Sequence, residues 1–136
     1  MKTNFNDQPI LRDYLETLLF TTCEDEFPEY CYSGEFSASE ADLKRFDSRS
    51  INRSKVELDV FERQARSIVG WGVLKDSWPR DFAYSRNGHG TGFFDRDELY
   101  TEEQREKLQD LAASFGEVYV GKHKGPKSLK CKITID

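Results

Sequence analysis

The chain has 136 residues, 37% of them hydrophobic, with 18 aromatic side chains and a net charge of -5. That length fits one domain, 1–136, with an aromatic-rich core. No apolar run approaches the roughly 20 residues of a membrane span, and the polar start after Lys2 lacks the apolar core of a signal peptide, so a cytoplasmic protein is expected. Three cysteines, Cys23, Cys31 and Cys131, without CxxC spacing read as reduced thiols rather than a disulfide framework. A zinc site formed by these three with His123 is weighed and set aside on spacing, so no metal and no cofactor is expected.

In chain order, Pro9 can open a helix, and Ile10, Leu11, Tyr14, Leu15, Leu18 and Leu19 recur at spacings of three and four, which predicts an amphipathic helix over Pro9 to Thr22. Cys23 to Ser37 mixes Pro28, Gly34, acids and aromatics and reads as an exposed loop. Ser39 to Arg45 reads as a short helix capped by Ser37 or Ser39. A longer helix follows, capped near Asn52 or Ser54, with Val56, Val60, Phe61, Ala65, Ile68 and Val69 on its buried face and Gly70 as its stop. Trp71 to Pro79 is a connector in which Trp78 is either a core plug or a partly exposed anchor.

Asp81 to Arg96, DFAYSRNGHGTGFFDR, reads as a β-hairpin. Gly88 and Gly90 accept the positive φ that hairpin turns need, so a Gly88-His89 turn closed by Asn87 and Gly90 is preferred over an Asn87-Gly88 turn. The preferred register sets Arg86 against Thr91, Ser85 against Gly92, Tyr84 against Phe93, Ala83 against Phe94 and Asp81 against Arg96. Arg86 and His89 then project to solvent at the tip. After it, Asp97 or Thr101 caps a helix to about Ser114, with Leu99, Leu108, Leu111 and Ala112 inward and Gly116 ending it. Two strands, Glu117 to Lys122 and Leu129 to Ile135, joined by Gly125-Pro126, complete the chain. Two hairpins, about four strands, with three to four helices on one face of an antiparallel sheet make the expected fold class α+β.

The hairpin segment resembles a signature, roughly D-F-W-L-x-R-N-G-H-G-x-G-F-W-D-R, of a family of small uncharacterised proteins encoded by bacteriophages and other mobile elements. Asp81, Phe82, Arg86, Asn87, Gly88, His89, Gly90, Gly92, Phe93, Asp95 and Arg96 match it; Ala83 and Phe94 stand where the family usually has Trp. Weaker similarity extends to Tyr14-Leu15-Glu16, Phe115-Gly116-Glu117 and Tyr119-Val120-Gly121. Family members tend to be acidic after the glycine matching Gly121, where this chain has Lys122-His123-Lys124. The resemblance implies a phage or mobile-element protein in the cytoplasm of a bacterial host and is silent on activity.

Charge is unevenly spread: Met1 to Lys44 holds 10 acids against 3 bases, while Tyr119 to Asp136 holds five lysines against one acid. The acids Glu24, Asp25, Glu26, Glu29 and Glu35 form an acidic pole that either aids solubility or imitates phosphate spacing toward a basic groove. No GxSxG elbow, P-loop or HExxH is present. On an extended hairpin arm, about 20 Å would separate Asp95 from His89, which argues against a dyad.

The leading expectation is a non-catalytic accessory protein that binds a host or phage protein through the hairpin residues Tyr84, Arg86, Asn87, His89, Phe93, Phe94, Asp95 and Arg96 or through the acidic pole. The expected effect of such binding is inhibition of a host defence or nucleic-acid-processing factor. The alternative is a nucleic-acid binder with Arg86, His89, Lys122, Lys124, Lys127, Lys130 and Lys132 on phosphate and Tyr84, Phe93 or Phe94 stacking bases. A small hydrolase or transferase using His89, Asp95 and Asp97 is the third.

Overall fold

The computed structural model describes residues 7–22, 43, 46–70, 72–88, 92–123 and 132–135, with the side chains of 20–22, 121–123 and 132–134 left aside. Among the described residues, four α-helices, one 3-10 turn and two short strands follow in order: α1 (Pro9–Thr22), α2 (Ser48–Val69), α3 (Trp78–Arg86), the 3-10 turn Phe93–Asp95, α4 (Glu102–Ser114), β1 (Val120–His123) and β2 (Lys132–Ile135). They divide between two units, Met1–Ser54 with Val118–Asp136, and Lys55–Glu117. No helix among the described residues is long and apolar enough to cross a membrane.

In the first unit, α1 opens on Pro9, whose missing N–H would have had no partner in the first turn anyway. Its stripe Leu11, Tyr14, Leu15, Leu18 and Leu19 is buried, and only Ile10 of the expected set lies at the surface. On its solvent side Arg12 Nε donates to Glu16 Oε1 at 2.9 Å. β1 and β2 pair antiparallel, with Val120 opposite Ile135 and His123 opposite Lys132. The first residues of α2 anchor this ladder, since the Ile135 N–H donates to Ser50 Oγ at 2.8 Å. Ser50 is in turn held at the start of its helix by Asp47, whose Oδ1 accepts the Ser50 N–H at 2.9 Å. Asp47 is therefore the cap of α2, and the helix begins several residues before Asn52 or Ser54.

In the second unit, α2 buries Leu58, Phe61, Ala65 and Val69, while Val56, Val60 and Ile68 are exposed. The expected face of α2 was thus turned partly outward. The observed one follows steps of three and four, the spacing that keeps residues on one side of a 3.6-residue helix. Gly70 ends the helix at φ 97°, its N–H donating to the Arg66 carbonyl at 2.8 Å. Phe61 is the hub of the aromatic core. Its ring stacks on Phe82 at 4.2 Å, on Trp78 at 5.7 Å and on Phe93 at 5.7 Å, and meets Phe115 edge-on at 5.9 Å. Trp78 is a core plug.

The expected hairpin is absent. Asp81 to Arg86 is the body of α3, and Phe93–Asp95 is a 3-10 turn, so neither arm is a strand and the cross-strand register does not exist. The four-stranded α+β sheet is accordingly overturned: the described residues are mostly helical, and the described strands are the single ladder β1–β2. The physical reason lies upstream of the segment. Ser77-Trp78-Pro79-Arg80-Asp81 starts a helix, with Pro79 in its first turn, Asp81 at the positive end of the dipole and Arg86 at the negative end. Trp78, Phe82 and Arg86 then fall four apart on one face, against Phe61 and Phe115. Gly88, assigned to the hairpin turn, takes its positive φ of 75° just after the helix end instead.

α4 is capped by Thr101, whose Oγ1 accepts the Gln104 N–H at 3.2 Å while Gln104 Oε1 accepts the Thr101 N–H at 2.9 Å. This reciprocal box satisfies two of the free N–H groups at the helix start. Leu108 and Ala112 are buried, and Gly116 follows the helix at φ 79°.

Candidate functional site

Two buried ion pairs hold the ends of the segment from Arg86 to Arg96. Arg86 lies at the end of α3 with its side chain wholly enclosed. Its two terminal nitrogens donate to the two carboxylate oxygens of Glu57 on α2, at 3.2 and 3.1 Å. Nε donates to the Gly116 carbonyl at 2.9 Å, and Nη2 also donates to the Phe115 carbonyl at 3.0 Å. The guanidinium lies 5.2 Å from the Phe82 ring centre and 5.9 Å from that of Phe115. One cation thus binds the two carbonyls just past the end of α4, neutralises a carboxylate of α2 and covers two aromatic faces, a use suited to the planar fork of arginine.

At the other end, Arg96 Nε donates to both oxygens of Asp81, at 3.0 and 3.3 Å, and Nη2 lies 3.0 Å from Oδ1. The Asp81 side chain is fully enclosed and Arg96 is about a third exposed. Ser77 Oγ donates to Asp81 Oδ2 at 3.1 Å. Burial pushes the Asp81 carboxyl above the usual carboxylate range, an effect that Arg96, Ser77 and Arg80 offset only in part. The same contact raises Arg96 further above its ordinary value.

Between these anchors the chain is pinned by its own backbone. Ser85 Oγ accepts the Phe93 N–H at 3.0 Å, the Phe93 ring is buried against Phe61 and Tyr100, and Arg105 Nη1 donates to the Phe94 carbonyl at 3.1 Å. Gln109 Nε2 donates to the Ser85 carbonyl at 3.3 Å.

The residues expected to form the hairpin's interaction surface therefore separate into two groups. Arg86 and Phe93 are core residues, and Arg96 serves Asp81. Arg86 does not project to solvent; its four-residue spacing from Phe82 and Trp78 carries it inward. Tyr84 and Asn87 are half-buried. Among the described side chains of the segment, Phe94, with half of its surface exposed, and Asp95 face outward. His89 lies outside the described residues, as do the acidic set Glu24, Asp25, Glu26, Glu29 and Glu35, the three cysteines, and Lys124, Lys127 and Lys130. Asp95 and Asp97 are exposed on the turn and after it. The separation reckoned along an extended arm has no counterpart, because the arm is not extended. Among the described residues no group of three or more His, Cys, Asp or Glu side chains gathers as a metal site would require.

Sequence reasoning placed Phe61 on the buried face of α2, as observed, but missed Glu57, which lies four residues before it; the phase of that helix was the signal that could have found it.

Acids outnumber bases in the chain that follows Phe94. Asp95, Asp97, Glu98, Glu102, Glu103, Glu106 and Asp110 are all exposed; of the cations in that stretch, Arg105 donates to the Phe94 carbonyl, Lys107 pairs with Glu103 at 3.0 Å, and Arg96 is committed to Asp81. Glu102 with Glu106, and Glu106 with Asp110, place like charges four apart on α4, a mildly destabilising arrangement. In α1 and α2 the matching positions carry the opposite-sign pairs Arg12–Glu16, Asp59–Arg63 and Glu62–Arg66.

Comparison with models of known protein families, with curated proteins and with solved structures found no match.

Proposed function

We propose that this chain is a non-catalytic accessory protein of the phage or mobile-element type that acts by binding a host or phage protein. Its contact face in this reading centres on Phe94. The observation that carries it is the half-exposed Phe94 side chain, on backbone that follows the buried Phe93 and precedes the Asp81-bound Arg96. An aromatic side chain on a pre-ordered backbone loses little freedom on binding, which is why such rings serve as interface anchors. The surrounding carboxylates favour a partner whose matching surface is basic.

The nucleic-acid reading loses two of its contacts, because Arg86 is spent on Glu57 and Phe93 is buried against Phe61. The acidic charge beside Phe94 would repel a phosphate backbone.

The test is recovery of a specific polypeptide with tagged protein from host or infected cells, followed by kinetics on the purified pair. Phe94→Ala should raise the dissociation rate, and charge reversal at Glu102 and Glu106 should slow association most at low salt. Unchanged kinetics in both variants would remove this face from the reading, and recovery of nucleic acid alone would replace the reading itself.

A further inference from the structure

The Phe94 turn is held on its two sides in different ways. Before it, Phe93 is anchored by burial of its ring and by its N–H bond to Ser85 Oγ, neither of which responds to pH. After it there are two side-chain anchors: Arg105 on the Phe94 carbonyl, and Arg96 on the buried carboxylate of Asp81, the one of the two that a proton can remove. The two members of that pair have unequal alternatives: Arg96 already reaches water, whereas the Asp81 carboxyl is wholly enclosed and keeps its bond from Ser77 Oγ without it.

The geometry points to the Asp81–Arg96 pair as an acid-released latch on the turn that presents Phe94: a proton from solvent taken up by the buried carboxyl leaves Asp81 in place and frees Arg96 to water. This inference rests on the reading of Phe94 as a contact ring, because release would loosen the backbone between Phe94 and Arg96 and so weaken its presentation. The charged and titratable groups facing Asp81 are Arg80 on its own helix, Arg96 at the end of the turn and Tyr100 just beyond it, and Arg96 in turn faces the carboxylates of Glu98 and Asp95.

The direction of linkage separates such a release from acid unfolding. With its folded-state carboxyl raised above the ordinary 3.8, Asp81 takes up its proton in the native chain at a higher pH than in the unfolded one. At this group, lowering the pH through that window favours the folded state, even as it removes the charge that holds Arg96. The turn loosens while the core around Phe61 stays closed.

The experiment follows the Arg96 Nε–H signal by heteronuclear NMR on the isolated full-length chain, from neutral pH down to 3.8. A single step above 3.8 is expected in that signal, with several-fold faster amide exchange at Asp95 and Arg96, none at Phe93, and no step in Asp81→Asn. A flat Arg96 signal over that range, or the same step in Asp81→Asn, would overturn the latch. Should Asp81→Asn fail to fold, Arg96→Gln provides the second arm. The Asp81 carboxyl carbon should titrate at higher pH in that variant than in the wild type, since a compensating cation has gone, and an unmoved titration would equally overturn the proposal. No partner is present in these measurements, so their failure leaves the binding reading standing. Unaltered partner kinetics in Phe94→Ala would sink that reading and leave the titration intact.

Discussion

Arg86 and Glu57, 29 positions apart in the chain, meet face to face at 3.1 and 3.2 Å, with the arginine side chain fully enclosed. A residue that reads as the tip of a surface hairpin is instead the bracket that joins α2, α3 and the end of α4. Much of the Asp81–Arg96 signature is thereby accounted for by folding: Asp81, Phe82, Arg86, Phe93 and Arg96 all make internal contacts.

Arg86→Ala should therefore destabilise the protein by about 3–5 kcal/mol, because it leaves the part-buried Glu57 carboxylate without its cation and strips the Phe115 and Gly116 carbonyls of their donor. Arg86→Lys should recover only a minor part, since an ammonium cannot serve two carboxylate oxygens and two carbonyls from one plane. Urea denaturation measures both.

The neighbouring phenylalanines should separate cleanly. Phe93→Ala removes a fully buried ring from the Phe61 cluster and is expected to cost about 3–5 kcal/mol. Phe94→Ala should change stability by less than about 1 kcal/mol, because half of that ring already lies in water. Thermal unfolding of the two variants side by side decides it, and equal losses would contradict the placement of Phe94.

Gly92 is required for space rather than for a positive φ. A Cβ there would run into Ser85 Oγ and stand 3.0 Å from the Asp81 carbonyl. Ser85 cannot turn away without giving up the Phe93 N–H. Gly92→Ala should cost roughly 1–3 kcal/mol. Loss of amide-exchange protection at Phe93 would locate that cost at the Ser85 contact.

Tyr100 supplies a pH test at the alkaline end. Burial raises its phenol above the ordinary 10.0, and its oxygen accepts the Lys75 N–H at 2.9 Å. A group whose folded pKa is raised contributes stability that is fully present below the unfolded value and is lost as pH climbs through the folded one. The Tyr100 contribution should therefore fade above 10.0. Phenolate absorbance compared between wild type and Tyr100→Phe should show one tyrosine titrating late. In the variant, the alkaline fall in melting temperature should be shallower.

What was legible in the sequence was what a few neighbouring residues decide. Pro9 and the three-four spacing of Leu11, Tyr14, Leu15, Leu18 and Leu19 gave α1 from Pro9 to Thr22. Of the two caps the sequence offered for α4, Asp97 and Thr101, Thr101 is the one used, and Gly70 and Gly116 marked helix stops; each depends on hydrogen bonds or φ angles within a single turn.

Two matters were decided only in three dimensions. The phase of α2 is one, because Val56, Val60 and Ile68 are as apolar as Leu58 and Val69, and which set turns inward depends on where Phe82, Trp78 and Phe93 converge on Phe61. The state of the Asp81–Arg96 segment is the other. Its glycines and aromatics satisfy the local rules of a hairpin and of a helix followed by a turn alike, and Gly88 takes a positive φ in both. Helix prevails because it delivers Phe82 to Phe61 and Arg86 to Glu57, burying a ring and pairing a charge across contacts that no local pattern in the chain records.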